Sequence, residues 1–178
     1  MTKISNVPTI TDDDIVTVNR NAIEHRATWM GLSYEAAKAS GVDGEQILRS
    51  AVAQTGCLHG VSIKEKLREP VQLDEFANIF LTPLGIKTFE MEVKSKTKAN
   101  LEIHFHYCPL VSGWLKAGIP VEDIPKLCDI AMDGDRNIAK TVGVGFSLGK
   151  TIATGNHSCE VNFFKMKQNK EKANEEID

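Results

Sequence analysis

The sequence predicts a single α+β domain, a helical N-terminal half packed on an antiparallel sheet built from C-terminal hairpins. Three observations point there. Apolar residues in the first half recur at helical spacing. From about Phe89 the period switches to two, as in half-buried strands. Gly155-Asn156 then separates two strand-like runs by a two-residue loop that a type II′ turn accepts. Helices first and hairpins after them make α+β. The domain is expected over residues 1–166, with a charged, solvated tail over 167–178.

Thr11-Asp12-Asp13-Asp14 supplies a cap and an acidic first turn, favourable at the positive end of a helix dipole. Ile15, Val18, Ala22, Arg26 and Trp29 follow at helical spacing, with only Arg26 breaking the apolar character. Asp43-Gly-Glu-Gln46 reads as a capping box for a second helix carrying Ile47, Leu48, Ala51, Val52 and Thr55, stopped by Gly56. Cys57-Leu-His59 ends that helix and reads as structural. A shorter helix is expected from about Asp74 to Leu81, ending before Pro83. Phe89, Met91 and Val93 alternate with Glu90, Glu92 and Lys94 as a strand, and a polar turn from Ser95 to Asn100 returns the chain into the next one. Pro109 suits a first helical turn, so a short helix carries Leu110 to Lys116 and stops at Gly118. One longer helix is expected from about Val121 to Val142. Phe146–Thr154 and His157–Met166 complete the sheet as a hairpin.

Composition narrows the function. Apolar content of 42% and charged content of 25% are those of an ordinary globular protein. A net charge of −3 gives no electrostatic footprint for nucleic acid. No apolar run reaches the ~18–20 residues that cross a membrane, so no membrane partner is expected. The start lacks the apolar core of a signal peptide. Cys57, Cys108, Cys128 and Cys159 are widely spaced and form no CxxC pair, and a cytoplasmic protein with reduced thiols is the simplest fit. The sequence leaves a homo-oligomer open.

The chemistry-bearing residues lie in the second half. In Glu102-Ile-His104-Phe-His106-Tyr-Cys108, strict alternation puts Leu101, Ile103, Phe105 and Tyr107 on one face. Glu102, His104, His106 and Cys108 fall on the other, a row that suits a proton-transfer, nucleophile or metal site, or a half-exposed strand. On the helix after Val121, Asp135 shares an apolar stripe with Ile124, Leu127, Cys128, Ala131, Ile138 and Val142. A carboxylate there is paired, protonated or used, and a salt bridge to Arg136 or Lys150 is the structural option. Asp129 and Asp133 lie on other faces and read as solvated. In the hairpin, Thr154 would pair His157, Ile152 Cys159 and Lys150 Val161. His157, Cys159, Lys150 and Phe163 would then share a face, with Thr151 and Glu160 on the other. Two chemistries fit: a thiolate activated by histidine, or zinc held by Cys and His that activates water. The spacings match no standard zinc signature, so the expectation is no cofactor, with zinc the alternative.

The order Cys108-Pro109, Leu127-Cys128, Gly134-Asp135, Lys150-Thr-Ile-Ala153 and Gly155-x-x-x-Cys159-Glu-Val-x-Phe163 resembles the L-2-amino-thiazoline-4-carboxylic acid hydrolase family. Two places depart from its pattern. The closing strand reads Cys159-Glu160-Val161 where the family commonly has Cys-Asp-Phe, and Asn156 follows Gly155 where an acidic residue is usual. The resemblance implies a hydrolase that opens a small five-membered heterocycle, an aminothiazoline or related cyclic amidine or imide, to an N-carbamoyl-type product. It carries over Cys108, Cys128, Asp135 and Cys159 as site positions. Cys108 is then the expected nucleophile, with His106 or His104 setting its protonation and Asp135 as base or as orienter of the amidine nitrogen. Lys150, for a substrate carboxylate, and His157 and Thr151 are the expected substrate contacts. A wider likeness to vinyl-reductase-type domains implies the alternative, a non-catalytic sensor of a small molecule or metal.

Overall fold

The computed structural model describes residues 3–166, and the tail expected over 167–178 lies outside the described residues. The helices are α1 (Asp14–Ala39), α2 (Gly44–Lys64), α3 (Leu73–Phe80), α4 (Pro83–Phe89), α5 (Pro109–Lys116), α6 (Ile124–Ala131) and α7 (Asp133–Val142). The strands are β1 (Met91–Lys96), β2 (Asn100–Phe105), β3 (Gly145–Leu148) and β4 (Cys159–Phe164). They form one antiparallel sheet in the order β1-β2-β4-β3. The predicted α+β architecture is the observed one.

Asp13 caps α1 by accepting from the Val16 N–H at 3.1 Å. The stripe picked out by periodicity does not face the core, however. Ile15, Val18 and Trp29 are 68–69% exposed, and α1 buries Val16, Arg20, Ala27, Gly31 and Tyr34 instead. The helix is apolar on two sides, and Arg20 decides between them. Its guanidinium donates to the carbonyls of Thr88 (2.9 Å), Ile10 (2.5 Å) and Lys87 (3.2 Å) and pairs with Glu90 at 2.9 Å. A cation so fully partnered can be buried, and it takes its helix face with it. The Glu90 carboxylate also accepts from the Thr9 and Ile10 N–H groups, which pins the N-terminal segment against α4.

The second helix does not stop at Gly56 but runs on to Lys64. Gly56 and Gly60 serve a close helix approach: a Cβ at Gly56 would overlap the Gly134 carbonyl oxygen of α7, and one at Gly60 would lie 2.7 Å from Thr141 Cβ. The single helix expected from Val121 to Val142 is divided at Met132, just before the weak helix former Gly134. Arg136 Nη1 takes up the Asp129 carbonyl at the break, at 2.9 Å. Asp129 and Asp133 are not merely solvated. Asp129 pairs with Arg49 (2.6 Å) and Arg136 (2.5 Å), and Asp133 with Arg49 (2.9 Å) and Arg136 (2.6 Å), which ties α2 to α6 and α7.

The strand expected to begin at Phe89 begins at Met91, because Thr82 and Pro83 open α4 in the intervening stretch. The hairpin is also corrected. Leu148, not Lys150, pairs with Val161, and Gly155-Asn156 is no two-residue turn. A loop with a 3₁₀ turn at Ile152–Thr154 joins β3 to β4 instead, held by Thr151, which accepts from Thr154 N–H at 3.2 Å. Leu101, Ile103, Val161 and Phe163 form the buried sheet face against Leu73, Phe76 and Ile138. A second cluster gathers Trp114, Val111, Leu127 and Ile152 around the three C-terminal thiols.

Candidate active site

A cavity of ≈ 460 Å³ opens among α1, α2, the sheet and the α5–α7 region, and Cys108, Cys128, Cys159 and Asp135 all line it. Each arrives by a different element. Cys108 is the residue before α5, and the Asn6 side chain grips its backbone twice, accepting from its N–H and donating to its C=O, both at 2.9 Å. Cys128 faces inward from α6 and Cys159 opens β4, where its sulfur accepts from the Ile152 N–H at 3.3 Å. Asp135 lies in the first turn of α7, beside Gly134 and the Gly56 contact that draws α2 in. Cys128 and Asp135, expected on one face of a single helix, line the cavity from two successive helices.

Burial pushes all three thiols up. At Cys108 it is opposed by the Val111 and Leu110 N–H groups at the start of α5 and by the Arg26 charge. At Cys128 burial is reinforced by Cys108, Cys159 and Asp129, and only Thr151 opposes it. Cys159 is pushed up to about 12 by burial and then by Cys108. The three sulfurs line one cavity and belong to one core cluster. Burial also pushes Asp135 up to about 6, opposed by its own N–H and by Arg136 and Arg26. Its remaining exposure is toward the cavity, which it lines. The salt bridge considered for it is not made: Arg136 holds Asp129 and Asp133, and Lys150 is on Glu160 at 3.4 Å.

Other expected site residues stand apart. The strand ends at Phe105, so the alternation that aligned His106 with Cys108 ends there too. His106 is exposed and paired with Glu92 at 3.1 Å, and His104 contacts Glu102 at 3.3 Å on the polar outer face of the sheet. Neither lines the cavity. Lys150 and His157 are exposed on the β3–β4 loop, away from the cavity lining. Thr151 is buried and does not line the cavity; its hydroxyl meets the Thr154 hydroxyl at 3.0 Å.

Two polar lining residues, Arg26 of α1 and His59 of α2, were not among the expected ones. Their signal was present: Arg26 is the lone cation in an apolar run, and His59 follows Leu48, Val52 and Thr55 at helical spacing once α2 continues past Gly56. Among the described residues Arg26 has no salt-bridge or hydrogen-bond partner, and its charge bears on both Cys108 and Asp135. Also among the described residues, no group of three or more His, Cys, Asp or Glu side chains is placed to hold a metal ion. No helix there is long and apolar enough to cross a membrane.

Fold and cavity together define a single-domain α+β protein whose mostly apolar pocket gathers three thiols, one uncompensated carboxylate and one free guanidinium. The chain belongs to the L-2-amino-thiazoline-4-carboxylic acid hydrolase family, whose model matches residues 20–163 of 178. The matched span takes in the helical half as well as the motifs in the C-terminal third. No match is found among curated proteins or among solved structures.

Proposed function

We propose that the pocket hydrolyses a five-membered cyclic amidine, an aminothiazoline or a related ring, to an N-carbamoyl-type product. The observation that carries this is Asp135, an unpaired carboxylate beside three thiols in one cavity, with a pKa of about 6. Such a group is ionised at neutral pH and is still basic enough to take a proton from water. In the thiazoline case the water oxygen bonds to the amidine carbon while Asp135 takes a water proton. The ring C–S bond then breaks, its electron pair goes to sulfur, the proton passes from Asp135 to that sulfur, and the proton left on the added oxygen moves to the ring nitrogen. One water is consumed, a carbamoyl group and a free thiol appear, and Asp135 is ionised again. Arg26 takes the part expected of Lys150 and pairs with the substrate carboxylate. Burial desolvates Asp135, whereas Arg26 is exposed, so the pairing at Arg26 is made beside solvent.

A second reading rests on Cys108 at the N-terminus of α5, where burial pushes the thiol up but two backbone N–H groups and Arg26 offset part of that. In that route the sulfur of Cys108 attacks the amidine carbon, the ring sulfur leaves, and water later releases the carbamoyl product. Replacing Cys108 by Ser separates the routes. Turnover near the wild-type rate supports water activated by Asp135, and loss of turnover with substrate still bound supports the covalent route. A sensor without catalysis would release no thiol from the ring with any of these proteins.

A further inference from the structure

Resting on the reading of the pocket as a heterocycle hydrolase, we infer that its substrate carries a bulky apolar substituent on the ring. The bare thiazoline acid has about nine non-hydrogen atoms. Even at water's share of ~30 Å³ each, those atoms fill at most about 270 Å³. The cavity holds ≈ 460 Å³, within the range of sites that enclose drug-sized ligands. On the order of 190 Å³ is left over once the ring is seated.

The chemistry of the walls says what fills it. The polar groups come from three helices: Arg26 from α1, His59 from α2 and Asp135 from α7. Apolar side chains stand beside them on the same helices, Met30 on α1, Leu48 and Val52 on α2 and Ile138 on α7. Five further elements add apolar lining only, with Phe80 from α3, Phe89 from α4, Met91 from β1, Phe105 from β2 and Leu148 from β3. The Phe89 and Phe105 rings pack at 5.7 Å between centroids, and Met91 pairs with Phe105 across the sheet. Aromatic and thioether side chains offer contact area and adaptable packing but no hydrogen bonds for a polar ring. A small hydrophilic substrate would leave this wall wetted and unused. An alkyl or aryl group on the ring would cover it, while Arg26 holds the carboxylate.

The test has a binding arm and a turnover arm. In the first, acetate, hexanoate and decanoate are titrated into the protein by calorimetry. Affinity is expected to rise about three- to four-fold per methylene. Arg26→Gln should weaken every carboxylate without changing the gain per methylene. In the second, 2-aminothiazoline-4-carboxylate is compared with its 5-ethyl, 5-butyl and 5-hexyl derivatives, and kcat/KM is expected to rise at least tenfold along the series. If the bare acid is opened and the longer derivatives gain nothing, the inference is overturned and the hydrolase reading stands. If no ring is opened but affinity climbs with chain length, the apolar site stands and the hydrolase reading falls. Flat affinity together with no turnover overturns both.

Discussion

Asp135 is the residue whose environment says most about function. Its folded pKa of about 6 lies above the ordinary carboxylate value, so the folded state holds the proton more tightly than the unfolded chain. Its ionised form is therefore destabilising, increasingly so from about pH 4 to pH 6 and constantly above. Asp135→Asn removes that burden, and at pH 7.5 the variant should unfold at the same temperature or higher, the gain being at most about 3 kcal/mol. Turnover should fall by about 10²–10⁴, the usual worth of a general base. A calorimetric scan of the variant checks the first half and its kinetics the second. The thiols give the next expectation. Cys57 is exposed while Cys108, Cys128 and Cys159 are buried. Mass mapping after brief alkylation should find Cys57 modified first and the three pocket thiols, which burial keeps protonated, modified more slowly.

At the scale of elements, α2 and α7 pack closely where both line the pocket, at Gly56 and Gly134. Gly56→Ala gains about 1 kcal/mol of helix propensity but drives a methyl group into the Gly134 carbonyl. The obstacle is backbone, and overpacking costs about 1–3 kcal/mol, so a net loss and a lower melting temperature are expected. The same contact explains why sequence reading stopped α2 short. A glycine in a helical pattern costs about 1 kcal/mol against alanine and can equally mark a C-cap, and only the neighbour across the interface shows that it is there for closeness. Periodicity put Cys128 and Asp135 on one stripe, and although the helix divides at Met132 both still line the cavity. It misjudged His106 and Cys108 because strand alternation is meaningful only while the strand lasts, and β2 ends at Phe105. On α1 two apolar faces were legible, but which one faces inward depends on partners that Arg20 finds in Ile10, Lys87, Thr88 and Glu90.

Across the whole molecule, the buried Arg20–Glu90 pair joins α1, α4 and the N-terminal segment whose Asn6 fixes Cys108. Burial alone would raise Glu90, but donors from Ile10, Thr9 and Arg20 outweigh it and hold the carboxyl below its usual value. A lowered folded pKa gives stability that is present above about pH 4.5 and is lost as pH falls through the folded value. Acid unfolding should therefore begin below about pH 4.5. Glu90→Gln, which leaves Arg20 buried without a counter-charge, should cost about 3–5 kcal/mol in a urea titration at pH 7. The fold class and the family were readable from sequence, since both rest on local patterns, whereas Arg26 and His59 enter the site only when α1 and α2 close over it. The most direct measurement is the release of free thiol from 2-aminothiazoline-4-carboxylate and its 5-alkyl derivatives, followed between pH 5 and 8 with the wild type and Asp135→Asn. The wild type should release thiol with a rising limb centred near pH 6, and the variant should lose at least 99% of that rate while remaining folded. Equal rates from the two proteins, or no thiol release at any pH, would contradict the assignment of this pocket to heterocycle hydrolysis by Asp135.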